Sequence, residues 1–192
     1  GWDGVVTVRS GIDAGITNSN VAEYAALATR HLTGIDSWDA AADTLVVVAE
    51  TSQSRIRVAT AARTTVAGAT ATCSGHVDLG DGRHVHDLAI ELADRTPIVV
   101  DKTVAIATSR DVAIASPENG ALAELSRADG GFAGLLEAHE ATWRGLWGHF
   151  RIELDAERDA QLLLNLHAYH LLTAISDHTV EVDAGVPARG LH

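Results

Sequence analysis

Asp81-Gly82-Arg83-His84-Val85-His86-Asp87-Leu88-Ala89-Ile90-Glu91-Leu92 is the stretch whose reading decides the fold class. Asp81-Gly82 is a two-residue hairpin signal, because both residue types tolerate the positive φ that a tight β-turn requires. Beyond it His84, His86, Leu88, Ile90 and Leu92 share one strand face, opposite Val85, Asp87, Ala89 and Glu91. Moving back along the chain, Thr65 to Val77 is rich in Thr, Val and Ala, and Arg55-Ile56-Arg57-Val58-Ala59 alternates with the period of a half-buried strand. Leu45-Val46-Val47-Val48-Ala49 is a short continuous apolar run, suited to a strand covered on both faces. Val5 to Val8 is a further β-branched run, followed by a Gly, Asn and Ser loop through Asn20. Moving forward, Pro97 opens a strand over Ile98 to Thr108. Six or so strands with short turns imply an antiparallel sandwich.

The pattern changes near Asp111. Ser116-Pro117-Glu118 has the form of a helix start, with Ser as cap and Pro in the first turn. A second helix is expected from Phe132 to about Trp147, with Leu135, Leu136, His139, Trp143, Leu146 and Trp147 spaced by three and four. Asp155 is expected to cap a third helix, with Glu157 and Asp159 in the first turn, where the dipole favours acids. Leu162, Leu163, Leu164, Leu166, Tyr169, Leu171, Leu172 and Ile175 leave that helix little polar surface, so it calls for neighbours. The fold class is therefore α+β, a partial antiparallel sandwich followed by helices.

Composition narrows the function. The 192 residues carry a formal net charge of −12, and 46% of them are hydrophobic. An acidic balance disfavours nucleic-acid and anionic-membrane surfaces, both of which need clustered Lys and Arg. No apolar run approaches the ~20 residues of a membrane-spanning helix. Cys73 is the single cysteine, which leaves no internal disulfide and no thiolate zinc cluster, and favours a reducing, cytoplasmic setting. The core is made of small residues: 33 Ala against two Phe, two Tyr and no Met. Gly1-Trp2-Asp3-Gly4-Val5-Val6 reads as the middle of a strand and Gly190-Leu191-His192 ends with no closing element, so the expectation is a piece of a longer protein.

Candidate chemistry is sparse. His84 and His86 would place two imidazoles on one strand face, as a metal pair needs, with Asp78, Asp81 and Asp87 the nearest third ligands. The plainer reading is two polar residues beside an exposed hairpin turn, which makes no metal site. His167 and His170 are three apart on the apolar helix, without the intervening Glu of a zinc protease, and read as core or interface histidines. Asp155, Glu157 and Asp159 resemble paired carboxylates, but a helix N-terminus accounts for them. Trp143 and Trp147 could stack on a sugar or anchor helix packing. There is no P-loop and no G-x-G-x-x-G. The residues alone assign no catalytic set and require no cofactor.

Several stretches carry a resemblance. Asp3-Gly4-Val5-Val6-Thr7-Val8-Arg9-Ser10, then Asn18 and Arg30-His31-Leu32, resembles the N-terminal domain of glycoside hydrolase family 65. Trp143-Arg144-Gly145-Leu146-Trp147 with Phe150-Arg151-Ile152-Glu153-Leu154 is similar to that family's connecting segment. Gln161 to Leu172 is similar to the first helix of its catalytic barrel, and Pro187-Ala188-Arg189-Gly190-Leu191 to the loop that opens its active-site region. The family includes maltose, trehalose and kojibiose phosphorylases and some related hydrolases.

The resemblance implies a β-sandwich domain over 1–112, incomplete at its N-terminus, a helical linker over 113–150, and the start of an (α/α)6 barrel over 151–192. It implies inverting attack on an α-linked glucose disaccharide, by inorganic phosphate as co-substrate or by water, with one carboxylic acid protonating the leaving oxygen. The family's sugar-holding Trp-Asp pair and its general acid come after the Pro-Ala-Arg-Gly-Leu loop. No catalytic residue is therefore expected within the 192, and Arg189 alone is placed near the sugar. The sandwich would act as a scaffold and contribute to homodimer contacts. The alternative is a non-catalytic carbohydrate-binding or structural sandwich module.

Overall fold

The computed structural model describes residues 2–17, 29–111, 115–155 and 158–175. Seven strands are followed by three helices: β1 (Gly4–Asp13), β2 (Leu32–Ala41), β3 (Thr44–Thr51), β4 (Arg57–Ala67), β5 (Ala71–Asp78), β6 (Arg83–Leu92), β7 (Val99–Thr108), α1 (Pro117–Arg127), α2 (Gly131–Phe150) and α3 (Arg158–Ala174). The strands form two antiparallel sheets, the first in the order β1-β6-β5 and the second in the order β2-β3-β4-β7. β1 faces β4, β6 faces β3 and β5 faces β2, so the three-stranded sheet lies over three of the four strands of the other.

β3 carries the core because both of its faces are covered. Leu45, Val47 and Ala49 pack toward the first sheet with Ala14, Ile12, Leu32 and Ile35. Val46 and Val48 pack the other way, with Ala59, Ala61 and Ala107, under Ala121 and Leu125 of α1. The continuous apolar run of β3 is the sequence form of this double burial. Alanine at 59, 61, 105 and 107 keeps the sheet surface low and lets α1 seat closely on β4 and β7. α1 starts as its sequence indicates: Ser116 accepts a hydrogen bond from the Asn119 amide at 3.2 Å, and Pro117 opens the first turn.

The hairpin between β5 and β6 is closed by Leu79 N–H to Arg83 C=O at 2.9 Å and Arg83 N–H to Gly80 C=O at 3.0 Å. Asp81 and Gly82 take φ of 52° and 80°, as the dipeptide demands. The turn also holds the end of β1, with Ala14 N–H donating to Gly82 C=O at 2.9 Å. Gly15 lies so close that a Cβ there would stand 1.7 Å from the Asp81 carbonyl oxygen.

β2 is the strand that composition hides, since Gly34, Asp36, Ser37 and Asp39 give it a loop-like look. It pairs with β3 through two irregularities, between Thr33 and Asp36 and between Asp39 and Ala41. α3 begins at Arg158, with Asp159 in its first turn, whereas Asp155 lies three residues before it. Glu157 lies outside the described residues.

The first compact unit spans Gly1–Leu135, and the second spans Leu136–His192. In the second, Trp143 lies 5.1 Å from Tyr169, ring centre to ring centre, which joins α2 to α3. Among the described residues no helix is long and apolar enough to cross a membrane.

Candidate functional site

His84 and His86 do share one strand face, and that face is turned inward. They are 5% and 2% exposed, buried between the sheets rather than beside an exposed turn. The expectation of solvated histidines fails because period-2 alternation says which residues share a face, not which face the core takes. His86 Nε2–H donates to Asp39 Oδ1 at 2.7 Å, and the His76 backbone N–H donates to Asp39 Oδ2 at 3.0 Å. Partial burial works against the Asp39 carboxylate, but these two donors outweigh it and hold its pKa below the ordinary value.

Ser37 Oγ lies 2.9 Å from His84 Nδ1 and 3.1 Å from His76 Nε2, which are themselves 3.1 Å apart. Two assignments use each proton once: from His84 Nδ1–H to Ser37 Oγ and from the Ser37 hydroxyl to His76 Nε2, or the same chain in reverse. In either direction His84 Nε2 remains a buried nitrogen with no hydrogen-bond partner among the described residues. Asp78 reaches only 3.8 Å from His84 Nδ1. Asp87 is on the opposite face, held by Nε and Nη2 of Arg9 at 2.7 and 2.8 Å, and Asp81 sits in the turn. Among the described residues no three His, Cys, Asp or Glu side chains are arranged to hold a metal ion. The cluster pins β2 of one sheet to β5 and β6 of the other. It is no hydrolytic triad either, because Ser37 and Asp78 approach the same nitrogen of His84.

A cavity of about 370 Å³ opens on the α1 side of the second sheet, lined among others by Trp38, Asp36, Glu50, Arg57 and Glu118. Its charges are largely committed: Arg57 pairs with Glu118, and Arg55 with Glu50 at 2.7 Å. An indole beside carboxylates and a guanidinium suits a polyhydroxylated ligand in general terms. Sequence reading passed over Trp38, because it lies in the strand whose Gly and Asp content disguised it.

In the second unit Trp143 and Trp147 stack at 6.1 Å with planes 32° apart, and His139 meets Trp143 edge-on at 6.1 Å. With Tyr169 against Trp143, these rings act as packing anchors between α2 and α3. Cavities of about 540 and 550 Å³ flank Trp147; the first is lined by Arg151, Glu153, Leu154, Gln161 and Asn165, the second by His139, Glu140, Trp143, Arg144 and Arg151. Gln161 ties the entry segment to α3, accepting from Leu154 N–H at 2.8 Å and donating to the Ile152 carbonyl at 2.9 Å. His167 is exposed and His170 half-buried beside Tyr169, so neither is a fully buried core histidine. Arg189 and the whole Pro187–Leu191 stretch lie outside the described residues.

Comparison with known sequences decides the family. The profile of the glycosyl hydrolase family 65 N-terminal domain matches residues 1–146. The chain belongs to glycosyl hydrolase family 65. Two relatives described as uncharacterized glycosyl hydrolases, from the CDC 1551 and H37Rv strains of Mycobacterium tuberculosis, are each 37% identical over 193 aligned residues. The match takes in 100% of this chain and 14% of each relative. The family 65 sandwich is thus what the two sheets and α1 represent.

Proposed function

We propose that residues 1–192 are the scaffold portion of an enzyme that splits α-linked glucose disaccharides with inversion, using inorganic phosphate or water as nucleophile. The observation that carries this reading is the family 65 N-terminal match over residues 1–146, on a chain that folds as a sandwich there. The resemblance places the proton donor and the groups that hold the nucleophile after the Pro-Ala-Arg-Gly-Leu loop. The sandwich supports that catalytic part and contributes to homodimer contacts. Arg189, in the Pro-Ala-Arg-Gly-Leu loop, is the residue assigned to the neighbourhood of the sugar. The setting is cytoplasmic, in keeping with the single cysteine.

The test is turnover. The full-length protein, given maltose, trehalose or kojibiose with phosphate, should consume phosphate or release glucose, and Arg189→Ala should lower kcat/KM. Residues 1–192 alone should do neither. A full-length protein that leaves all three disaccharides intact, or measurable turnover by the 192 residues, overturns the reading.

A second reading, a non-catalytic carbohydrate-binding module, draws on the Trp38 cavity. It requires glucoside titration to quench Trp fluorescence in the parent protein and not in Trp38→Phe.

A further inference from the structure

α1 seats chiefly on β4 and β7, so the half of that sheet face formed by β2 and β3 stays open beside the first turn of the helix. The cavity of about 370 Å³ lies on this ledge. The register shows which side chains meet there. Asp36 stands opposite Val48, Trp38 opposite Val46, and Glu50 opposite Arg57. Val46 and Val48 point toward α1, so Asp36, Trp38, Glu50 and Arg57 share that face with them. Trp38 packs against the cluster of Val46, Val48 and Ala59, which holds its indole in place before any ligand arrives. Gly34, at φ 56°, falls in the irregularity between Thr33 and Asp36, a bulge of the kind that re-aims side chains beside a site.

The charges decide what can enter. Among the described residues that line the cavity, the carboxylates of Asp36, Glu50 and Glu118 face the single guanidinium of Arg57. Arg57 is already paired with Glu118, whose other oxygen accepts from the Ser116 hydroxyl at 2.5 Å. Glu50 is paired with Arg55 at 2.7 Å. Asp36 accepts only the Ser37 amide, at 2.8 Å, and among the described residues no cation stands at ion-pair distance from it. Of the residues outside the described structure, Arg189 alone is a Lys or Arg. Spare acceptors thus outnumber spare donors, beside an aromatic ring. A neutral ring with hydroxyl donors and an apolar C–H side satisfies both. A phosphate ester would bring its charge up to carboxylates with no free cation to receive it. The volume is at the small end of ligand cavities, which suits one pyranose and not a chain of them.

We propose that the Trp38 cavity binds a single neutral pyranose, stacked on the indole with its hydroxyls donating to Asp36 and Glu50, and that it turns away phosphorylated sugars. This selectivity presupposes the carbohydrate-binding reading of the cavity and goes a step beyond it, to the size of the ligand and the sign of charge it must lack.

The experiment uses the full-length protein and an alkyl α-glucoside bearing a diazirine, with the photolabelled peptides mapped by mass spectrometry. Label should appear between Gly34 and Arg57 or around Glu118, and saturate at about 1 mM, as befits so small a ligand. Methyl α-glucoside should displace it, and glucose 6-phosphate should need a roughly tenfold or higher concentration to do the same. Asp36→Asn changes an exposed side chain, leaves the fold alone, and should narrow that gap by roughly threefold or more. Absence of displaceable label on these peptides overturns the carbohydrate reading of the cavity and the proposal with it. Displaceable label on which the two competitors act equally keeps the cavity as a sugar site and overturns the proposal alone. So does a gap that Asp36→Asn leaves unchanged.

Discussion

The two compact units bury their apolar residues to very different degrees. In the first, Leu45, Val46, Val47 and Ile90 are almost wholly removed from water, and α1 buries Pro117, Ala121 and Leu125. In the second, Leu162, Leu163 and Leu171 are 64%, 55% and 53% exposed, and of the described residues of α3 only Ala168 is buried. The lesson concerns geometry more than composition. Strands meet their partners through neighbouring hairpins, so a sandwich can close over a short run of chain. Helices that are apolar on most sides need several other helices, and two of them cannot cover each other. In glycosyl hydrolase family 65 terms, the sandwich can hold itself together while the helical unit calls for further chain or self-association.

The sharpest way to break this comparison is a matched pair of leucine truncations. Leu45→Ala should cost about 2–5 kcal/mol in urea unfolding, as for a fully packed core leucine. Leu163→Ala in the same 192 residues should cost less than about 0.5 kcal/mol. Equal costs would mean that α3 is as well packed as β3. The next effect is at the polar pin. Asp39→Ala leaves the buried His86 Nε2–H without its acceptor and should cost about 1–3 kcal/mol.

The same carboxylate gives a pH test. Asp39 has a folded-state pKa below its ordinary value, so its contribution is present above the usual carboxylate range, about pH 4, and fades as pH falls through the lowered pKa. Asp39→Asn should flatten the acid limb of the stability curve; an unchanged limb would remove Asp39 from it. Hydrogen exchange then reads the second unit. Amides over Leu162–Ala174 should exchange fast in dilute samples of the 192 residues and slow down only as the chain self-associates, and concentration-independent protection would contradict the contrast. The smallest effect is on the outer face of the first sheet, where Asp87→Asn removes the exposed pairing with Arg9 and should leave Tm unchanged at high salt.

Much of the sandwich was legible in the sequence, and the reasons are local. Asp81-Gly82 names its own turn, Ser116-Pro117 its own helix start, and the run from Leu45 to Ala49 its double burial. β2 was not legible, because Gly34, Asp36 and Asp39 have turn chemistry and only pairing with β3 makes them a strand. The inward aim of His84 and His86 was equally hidden, since their partners Ser37, Asp39 and His76 lie 8 to 47 residues away in sequence. α1 announced its cap but not its seat on β4 and β7, which depends on alanines spread over those two strands. The family's chemistry was reached by resemblance alone, and Arg189, the one residue it assigns, lies outside the described residues.

The histidine cluster has a consequence for how the sheets find each other. A slip of β6 by one residue would turn His84 and His86 to solvent and bring Asp87 toward Asp39, setting carboxylate against carboxylate in the gap. An all-aliphatic face would tolerate that slip with little penalty, because Val85 and Ala89 would simply replace its neighbours. The cluster thus acts as proofreading: it does little to speed the collapse of the sandwich, and rejects the collapsed forms in which β6 is one residue out of place.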